Sequence, residues 1–330
     1  MTRRVPEVPG TNLSAVQVFT DITTRPWAGG RSVITIGTYD GIHRGHRAVI
    51  EQVRQHAARL GAQSVVVTFD PHPASVVRPE SCPKLLTDLN QKLELLESTG
   101  VDATVVVPFD EERAQESAEE FVGLVLVDML ATRAVVVGED FHFGHQREGN
   151  VGLLRNIGTR HDFEVFPIEL VERTDGVDEP VSSTAIRRAL AGGNVETAAH
   201  MLGRPFEARG PVVQGDQRGR LIGFPTANVE VPVQICLPAD GVYAGWYIRA
   251  NGEKHPCAMN LGRRPTFYEH ADVSLLEAHL IAFAGDLYGE PACVQFTNFL
   301  RGERKFDGID SIRTQLKQDV EHARQVLSLG

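Results

Sequence analysis

Four runs of consecutive β-branched and apolar residues most constrain what this chain can fold into. They lie at residues 33–36, 64–69, 103–108 and 134–137, with a weaker run at 16–19. Segments with helical spacing of apolar residues separate them, at 44–53, 89–98 and 119–129. Continuous apolar strands that alternate with helices are typical of a parallel sheet covered on both faces. The sequence therefore predicts an α/β fold for the N-terminal half.

The segment between the first strand and its helix carries two histidines. Gly37, Asp40 and Gly41 predict a turn, and His43 and His46 follow in HRGH, where the helix begins. Ligands bind at the carboxyl edge of such a sheet, and a helix N-terminus offers free N–H groups to an anion. We interpret this turn as a nucleotide site, the alternative being a solvated turn that happens to contain histidine.

Three predicted strands end in acidic or histidine residues at this edge: Asp40 and His43, Asp70 and His72, and Glu139 and Asp140. Any one of them is explained as a helix cap or turn former, but three together favour a ligand site. A zinc site built from the histidines is weakly supported, because there is no HExxH glutamate and no cysteine lies nearby. Its candidate ligands would be His43, His46, His72, His142 and His145.

The stretch at residues 181–188, VSSTAIRR, predicts the start of another helix. Ser183 and Thr184 would cap it, and Arg187 would lie one turn further along. Capping alone explains the two hydroxyls. A phosphate at this helix start would use the same groups, with Arg187 as a planar charged donor.

The pattern changes beyond the interrupted helix predicted at 187–203. Strand-like runs then follow closely, at 210–214, 242–249, 255–259, 274–283 and 292–299, before a terminal helix. Closely spaced strands with intervening turns predict an antiparallel barrel or sandwich. We expect an N-terminal domain over 1–190, a linker over 191–204 and a C-terminal domain over 205–330.

A glycine-rich loop at residues 215–228 is the most informative part of the C-terminal half. Its glycines would let backbone amides approach a phosphate, and Thr226 and Asn228 supply oxygens that suit a hard cation. The alternative is a simple hairpin loop, and no GxxxxGK[ST] phosphate loop is present. Glu277, in the apolar strand VSLLEAHL, is either a desolvated base of raised pKa or an outward-facing strand residue.

Composition restricts the setting of the protein. The 33 basic and 43 acidic residues give a net charge of −10, which argues against binding nucleic acid or an anionic membrane. The four scattered cysteines fit reduced thiols, and no apolar run is long enough to span a bilayer. We expect a cytoplasmic protein whose partners are small molecules, and a homo-oligomer is left open.

The N-terminal motifs resemble the adenylyltransferase module of bacterial bifunctional riboflavin kinase/FAD synthetases. The motifs are GTYDGIHRGH, FDPHP, GEDFHFGHQREGN and SSTAIR. The resemblance implies a Rossmann-like nucleotidyltransferase fold that joins FMN to ATP, giving FAD and pyrophosphate, with Asp70 and Asp140 on the flavin or metal side. The implied ATP and phosphate site comprises Gly37, Tyr39, Asp40, Gly41, His43, Gly45, His46, Ser183, Thr184 and Arg187, with His43 and His46 catalytic.

The C-terminal motifs are similar to those of riboflavin kinases. They are RGRLIGFPTAN, LPADGVY, AMNLGRRPTF, LLEAHL, DLYG and FDGIDSIRTQLKQD. The resemblance implies a six-stranded barrel that phosphorylates riboflavin, with Glu277 as general base and Arg313 as a candidate for the flavin edge. Nucleotide phosphates would bind Gly215, Gly219, Arg220, Gly223, Pro225, Thr226 and Asn228, the last two also holding Mg²⁺.

The two sets of motifs in one chain predict a bifunctional FAD-forming enzyme that uses ATP and Mg²⁺. Riboflavin would be converted to FMN in the C-terminal half, and FMN to FAD in the N-terminal half. Two alternatives are a nucleotidyltransferase for another phosphorylated small molecule and a flavin-binding regulator without activity. The GFPTAN loop argues against the first, and the intact His43, His46, Thr226, Asn228 and Glu277 argue against the second.

Overall fold

A parallel sheet organises the N-terminal part of the chain in the computed structural model, which describes residues 16–27, 30–215, 218–263 and 274–329. Within these residues the chain forms two compact units. The sheet unit contains the residues up to Pro83 together with Thr87–Val181, and the barrel unit contains Lys84–Leu86 and the residues from Ser182 onward.

In its described residues the sheet unit contains eight strands: β1 Gln17–Phe19, β2 Ser32–Ile36, β3 Gln63–Asp70, β4 Ala103–Pro108, β5 Thr132–Gly138, β6 His142–Phe143, β7 Gly149–Asn150 and β8 Glu164–Ile168. Six of them form one sheet in the order β1-β4-β3-β2-β5-β8, with every neighbouring pair parallel. The strand order reverses at β2, so the crevice expected at such a switch point lies at the carboxyl end of β2. The parallel α/β prediction is confirmed.

The helices of the sheet unit are α1 Arg44–Leu60, α2 Pro73–Val77, α3 Leu89–Glu97, α4 Ala118–Phe121 and α5 Val151–His161. The helix predicted to start at Arg44 begins there. The predicted 119–129 helix continues from α4 as a π-helical segment, Val122–Met129, in which the Leu130 N–H donates to the Val125 carbonyl 3.1 Å away. Sequence periodicity did not show β8 or α5.

Apolar packing fixes the start of α1 against the sheet. Val53 and Ala57 of α1 pack with Val33 of β2 and Val136 of β5. On the same helix Ile50 packs with a buried group that also includes Tyr39, Ile42, Val66 and Leu96. Because apolar side chains from both ends of the β2–α1 connection are buried, the turn between them is held against the edge of the sheet.

The barrel unit is built on six antiparallel strands: β9 Phe206–Val213, β10 Ala227–Val229, β11 Gly241–Ile248, β12 Lys254–Arg263, β13 Ser274–Leu280 and β14 Pro291–Arg301. They close in the order β10-β13-β12-β11-β14-β9. Its helices are α6 Ser183–Ala191, α7 Val195–Leu202, α8 Arg218–Leu221 and α9 Ile309–Val326. The barrel with a terminal helix is confirmed, and α6 and α7 are the predicted helix interrupted at Gly192-Gly193.

Two strands of the barrel differ from the sequence prediction. Strand β9 starts at Phe206 rather than at residue 210, and β10 was not predicted. Gly210 lies inside β9 because a Cβ there would come within 2.0 Å of the Glu230 carbonyl oxygen, so the glycine permits close backbone approach rather than ending a turn. Helices α6 and α7 belong to the barrel unit. The predicted division into a domain over 1–190 and a domain over 205–330 stays a prediction.

A three-residue segment from the N-terminal half completes the barrel unit. The Leu85 N–H donates to the Gln234 carbonyl at 2.7 Å, and the Leu85 carbonyl accepts from the Cys236 N–H at 2.7 Å. Leu85 therefore pairs with Ile235 as an isolated parallel bridge.

Candidate active sites

The turn at residues 37–46, called here the histidine turn, follows β2 directly. The Gly37 N–H donates to the Val67 carbonyl at 3.0 Å, and the buried Tyr39 hydroxyl lies 2.6 Å from the Thr35 hydroxyl. Tyr39 and Ile42 both have positive φ angles, of 48° and 41°, which non-glycine residues adopt only when packing holds them. The Tyr39 side chain is thus a buried support of the turn.

Asp40 joins the histidine turn to the loop that carries Thr87. Its carboxylate is 1% exposed and accepts hydrogen bonds from the Thr87 backbone N–H at 3.1 Å and the Thr87 hydroxyl at 3.3 Å. The Gly41 N–H donates to the same hydroxyl at 3.2 Å. These bonds hold the loop that carries Thr87 against the turn, a contact that the sequence did not indicate.

His43 and His46 stack on each other at the start of α1. Their ring centroids are 3.6 Å apart with an interplanar angle of 19°, and the His46 N–H donates to the His43 Nδ1 at 3.3 Å. His43 is therefore the N-cap of α1, and its neutral ring carries the proton on Nε2. A Cβ at Gly45 would crowd this site, since it would lie 3.2 Å from the His43 ring and 3.3 Å from the Val181 carbonyl oxygen.

The imidazole of His46 is held in its neutral form. Burial lowers its pKa well below 6.5, and the nearby His43 and Lys92 lower it further. Among the residues that the structure describes, its buried Nδ1 has no hydrogen-bond partner. A buried polar atom without a partner is costly, so this ring is suited to contact a ligand.

Asp70 and Asp140 lie on either side of the histidine turn along the edge of the sheet. Asp70 ends β3 and Asp140 follows β5, the two neighbours of β2, and both side chains are exposed. Aromatic rings lie beside them: Phe69 contacts Phe109 edge-on at 5.7 Å, and Phe141 stacks on Phe143 at 5.3 Å. This edge thus combines carboxylates with flat apolar surface.

The zinc alternative has no support from the geometry. His72 accepts from the Ala74 N–H at 3.1 Å as the N-cap of α2, and His142 and His145 contact backbone carbonyl oxygens at 2.7 and 3.0 Å. With His43, which accepts from the His46 N–H, four of the five histidines are thus engaged with the backbone. In the described ranges no three histidine, cysteine or carboxylate side chains converge as ligands of one ion.

The start of α6 differs in detail from the prediction. Ser182, not Ser183 or Thr184, is the N-cap, and its hydroxyl accepts from the Ala185 N–H at 3.1 Å. Thr184 is exposed, and the Nε of Arg187 donates to the Lys84 carbonyl at 2.6 Å within the barrel unit. The phosphate contacts expected of Ser183, Thr184 and Arg187 stay a prediction.

A row of directly opposed side chains, called here the polar rung, crosses the outer face of the barrel. Asn228 of β10 lies opposite Glu277 of β13, which in turn lies opposite Asn260 of β12. The row continues through Val242 of β11 to Arg301 of β14. Leu276 and Ala278 are fully buried on the opposite face, so Glu277 does point outward, and the site lies on that outer face.

A cavity of about 330 Å³ lies between the polar rung and α9. All five rung residues line it, and α9 contributes four side chains at helical spacing, Ile312, Leu316, Asp319 and Val320. Arg301 and Asp319 form a bidentate ion pair within its wall, at 2.9 and 2.7 Å. Sequence reasoning missed both residues, although a charged residue on the apolar stripe of α9 was a signal for Asp319.

Arg313, the expected flavin contact, is not in the lining of this cavity. Its side chain is 45% exposed and lies 3.9 Å from the Asp310 carboxylate. The cavity is lined instead by Ile312 and Leu316, which lie before and after Arg313 on α9. A flavin-binding role of Arg313 therefore stays a prediction that no contact in the described residues supports.

Asn228 presents an unused oxygen to the cavity. The residue is 5% exposed, and its Oδ1 has no hydrogen-bond partner among the described residues. A Cβ on Gly215 would lie 2.5 Å from the Asn228 amide nitrogen, so only glycine allows the loop to pass this close. This orphaned amide oxygen, from a residue that lines the same cavity as Thr226, fits the hard oxygen ligands that Mg²⁺ prefers.

A second cavity, of about 250 Å³, adjoins the first. It is bordered by Arg220, Pro225 and Thr226 on one side and by Phe283 and Tyr288 on the other. Thr226 lines both cavities. In the loop before it, Gly223 has a φ of 87°, and a Cβ on Gly219 would lie 2.3 Å from the Phe224 carbonyl oxygen. These two glycines are needed for the loop conformation.

Comparison with known proteins assigns a family to each half of the chain. The family model described as FAD synthetase matches residues 26–185, and the model described as riboflavin kinase matches residues 202–327. The bifunctional riboflavin kinase/FMN adenylyltransferase of Listeria monocytogenes is 37% identical over 306 residues, covering 92% of this chain and 95% of the relative. The chain belongs to the bifunctional riboflavin kinase/FMN adenylyltransferase family. Its relative from Pseudomonas fluorescens is 38% identical, with 88% and 92% of the two chains covered.

The whole chain also resembles a solved structure. A protein described as a macrolide-efflux protein from Streptococcus pneumoniae superposes with a TM-score of 0.82 at 30% identity. The match covers 94% of this chain and 99% of the other. Within the described residues of this family member, none of the helices is both long and apolar enough to cross a membrane.

Proposed function

We propose that this chain makes FAD from riboflavin in two ATP-dependent steps. The barrel unit phosphorylates riboflavin to FMN, and the sheet unit then transfers AMP from a second ATP to FMN. The observation that carries the proposal is the position of Thr226 between two cavities, one bordered by Glu277 and the other by aromatic side chains. A residue at such a junction is placed where a phosphoryl group passes between two substrates.

In the first step riboflavin occupies the larger cavity and ATP the smaller one. The 5′-hydroxyl oxygen of riboflavin attacks the γ-phosphorus of ATP while the Glu277 carboxylate accepts the hydroxyl proton. The bond between the γ-phosphorus and the oxygen that bridges to the β-phosphate breaks, which releases ADP. Phe283 and Tyr288 offer the adenine ring an apolar wall. Phosphoryl transfer depends on alignment and charge stabilisation, so two adjoining cavities supply most of what it requires.

Mg²⁺ would be held in the first step by the Asn228 Oδ1 and the Thr226 hydroxyl. When bound, it neutralises charge on the ATP phosphates. Because Gly215 passes close to Asn228, the backbone amides of its loop lie near these two oxygen ligands. Removal of the Asn228 amide oxygen would therefore weaken ATP binding as well as turnover.

In the second step the FMN phosphate is itself the nucleophile. One of its oxygens attacks the α-phosphorus of ATP, the bond from that phosphorus to the bridging oxygen breaks, and pyrophosphate leaves. The Nε2–H of His43 donates to a phosphate oxygen, and the His46 ring stacks behind it. Asp70 and Asp140, with the aromatic rings beside them, face the flavin side of the same edge. A cytoplasmic location fits the use of ATP and the four free cysteines.

Chromatography of the reaction products tests the proposal. Riboflavin, ATP and Mg²⁺ incubated with the full chain should give FMN first and FAD later, with ADP and pyrophosphate as co-products. Supplying FMN in place of riboflavin should give FAD without a lag. EDTA should stop both reactions, and excess Mg²⁺ should restore them. If neither flavin product forms, or if EDTA leaves both rates unchanged, the enzymatic proposal or its metal requirement is wrong.

A further inference from the structure

Lys92 is a buried cation next to the histidine turn. It lies in the first turn of α3, and its side chain is 6% exposed. Among the residues that the structure describes, its ammonium has one hydrogen-bond acceptor, the Phe69 carbonyl oxygen 3.5 Å away. An ammonium carries three N–H donors, so this one retains capacity for further acceptors. A buried charge that is so weakly bonded needs an explanation.

The groups around Lys92 locate its ammonium at the carboxyl edge of the sheet. Phe69 and Asp70 are the last residues of β3. Burial lowers the pKa of Lys92, and the nearby Asp40 and Asp70 carboxylates oppose that shift. On the other side, the ammonium is close enough to His46 to lower the pKa of that imidazole. The cation therefore lies among the same groups to which the proposed function assigns the phosphates.

A structural explanation of Lys92 would be an ion pair inside the fold. In the described part of the chain, no carboxylate oxygen lies within 4.0 Å of its ammonium, and Asp40 already bonds Thr87. The long contact to Phe69 does not account for burying an ammonium. The geometry fits a cation whose missing acceptor belongs to a ligand, and a phosphate oxygen is an acceptor that lysine commonly binds.

We propose that Lys92 is a further catalytic residue of the adenylyl-transfer site, where its ammonium donates to a phosphate oxygen and stabilises the charge that develops as FMN attacks ATP. This inference rests on the proposed function. Lys92 takes no part in bond making: the FMN oxygen–phosphorus bond forms, the phosphorus–oxygen bond to pyrophosphate breaks, and the ammonium keeps its proton. Its effect is therefore on kcat rather than on the binding of either substrate alone.

The test is steady-state kinetics of the Lys92→Met variant in the full chain. We expect kcat for FAD formation from FMN to fall by about 10²- to 10³-fold, as when one preorganised donor is removed. The KM values for ATP and FMN should change less than about threefold, because the contact forms in the transition state. Riboflavin phosphorylation by the same polypeptide should keep its rate, which controls for the barrel unit, and near-UV circular dichroism reports the fold of the sheet unit that contains Lys92. Arg59→Met removes an exposed positive charge from α1 and should leave both activities unchanged.

Two outcomes would overturn the catalytic role of Lys92, and a third tests the proposed function separately. If the unmodified chain makes no FAD, the proposed function fails, and that result is separate from the Lys92 test. If the unmodified chain makes FAD and Lys92→Met has the same kcat, or only raised KM values, the catalytic role is wrong. If Lys92→Met and Lys92→Gln both lose the near-UV circular dichroism of the folded chain, the residue is structural and the catalytic role is likewise overturned.

Discussion

Glu277 owes its position to strand register rather than to burial. Its neighbours in sequence, Leu276 and Ala278, are buried on the inner face of the barrel, so the period of two places Glu277 on the outer face. There the register sets it between Asn228 and Asn260. Because α9 covers this part of the outer face and leaves a cavity beneath it, the outward-facing Glu277 is also a residue of the candidate site.

Replacing Glu277 by alanine should separate the two activities. FMN formation should fall by about 10²- to 10⁴-fold, the usual range for loss of a general base. FAD formation from supplied FMN should be unchanged, since the sheet unit does not contain this residue. Chromatography of both products measures this, with the exposed Glu321→Ala on α9 as a matched control. Loss of both activities would contradict the division between the two units.

His46 makes the stability of the chain depend on pH. Its folded-state pKa is lowered well below 6.5, chiefly by burial. The unfolded chain therefore binds a proton that the folded chain excludes, so stability from this group is present above pH 6.5 and is lost as the pH falls below that value.

Urea unfolding at several pH values checks this prediction. The free energy of unfolding should decrease by up to about 1.4 kcal/mol per pH unit below pH 6.5 from this residue. His46→Asn should flatten that dependence and abolish FAD formation, whereas the exposed His161→Asn should retain both. An unchanged slope in His46→Asn would show that another group is responsible.

At the scale of elements, one ion pair fastens α9 to the barrel. Arg301 at the end of β14 and Asp319 on α9 form two hydrogen bonds, and Gln315 donates a third bond to Asp319 at 2.9 Å. Asp319 is only 4% exposed, so its carboxylate is shielded from water, whereas the Arg301 side chain is partly exposed. Both residues also line the larger cavity, which links the docking of α9 to the shape of the proposed riboflavin site.

Asp319→Ala should therefore loosen α9 and weaken riboflavin binding. The Arg301 guanidinium would lose its two bonds to the carboxylate and keep the one to the Gly302 carbonyl, which costs on the order of 1–3 kcal/mol for a partly buried charged group. We expect a raised KM for riboflavin and a lower unfolding temperature of the barrel unit, with FAD formation from FMN unaffected. Asp310→Ala is the control, because its carboxylate is fully exposed and its contact with Arg313 is long. Equal KM values for the two variants would refute the link between the ion pair and the cavity.

The elements differed in how far the sequence predicted them. The β2–turn–α1 unit was predicted well, because apolar residues change from continuous to helical spacing across a glycine turn. Strand β10 was missed, since it has only three residues and follows a loop rich in glycine and proline. Lys92 was missed for another reason: a lysine in an amphipathic helix is usually solvated, and only tertiary contacts bury this one. Ser182 was not identified as the cap of α6, because three consecutive hydroxyl residues offer equivalent candidates.

At the scale of the whole molecule, the barrel unit depends on a segment distant in sequence. A fragment of residues 182–330 lacks the Leu85 bridge and so loses two backbone hydrogen bonds. At about 1 kcal/mol each, the fragment should be less stable than the barrel unit of the full chain by about 2 kcal/mol. Thermal unfolding monitored by riboflavin kinase activity measures the difference. Equal unfolding temperatures would show that the bridge contributes nothing.

The Leu85 bridge also sets an order of events during synthesis. Lys84 bonds the Val233 carbonyl across 149 positions of the chain. At about 5–20 residues per second, the ribosome adds those residues over roughly 7 to 30 seconds. For that time the residue 84–86 segment has left the ribosome while its partner has not yet been made. The barrel unit therefore completes late, and a gene divided at any one point between these segments yields two products of which neither contains the whole bridge.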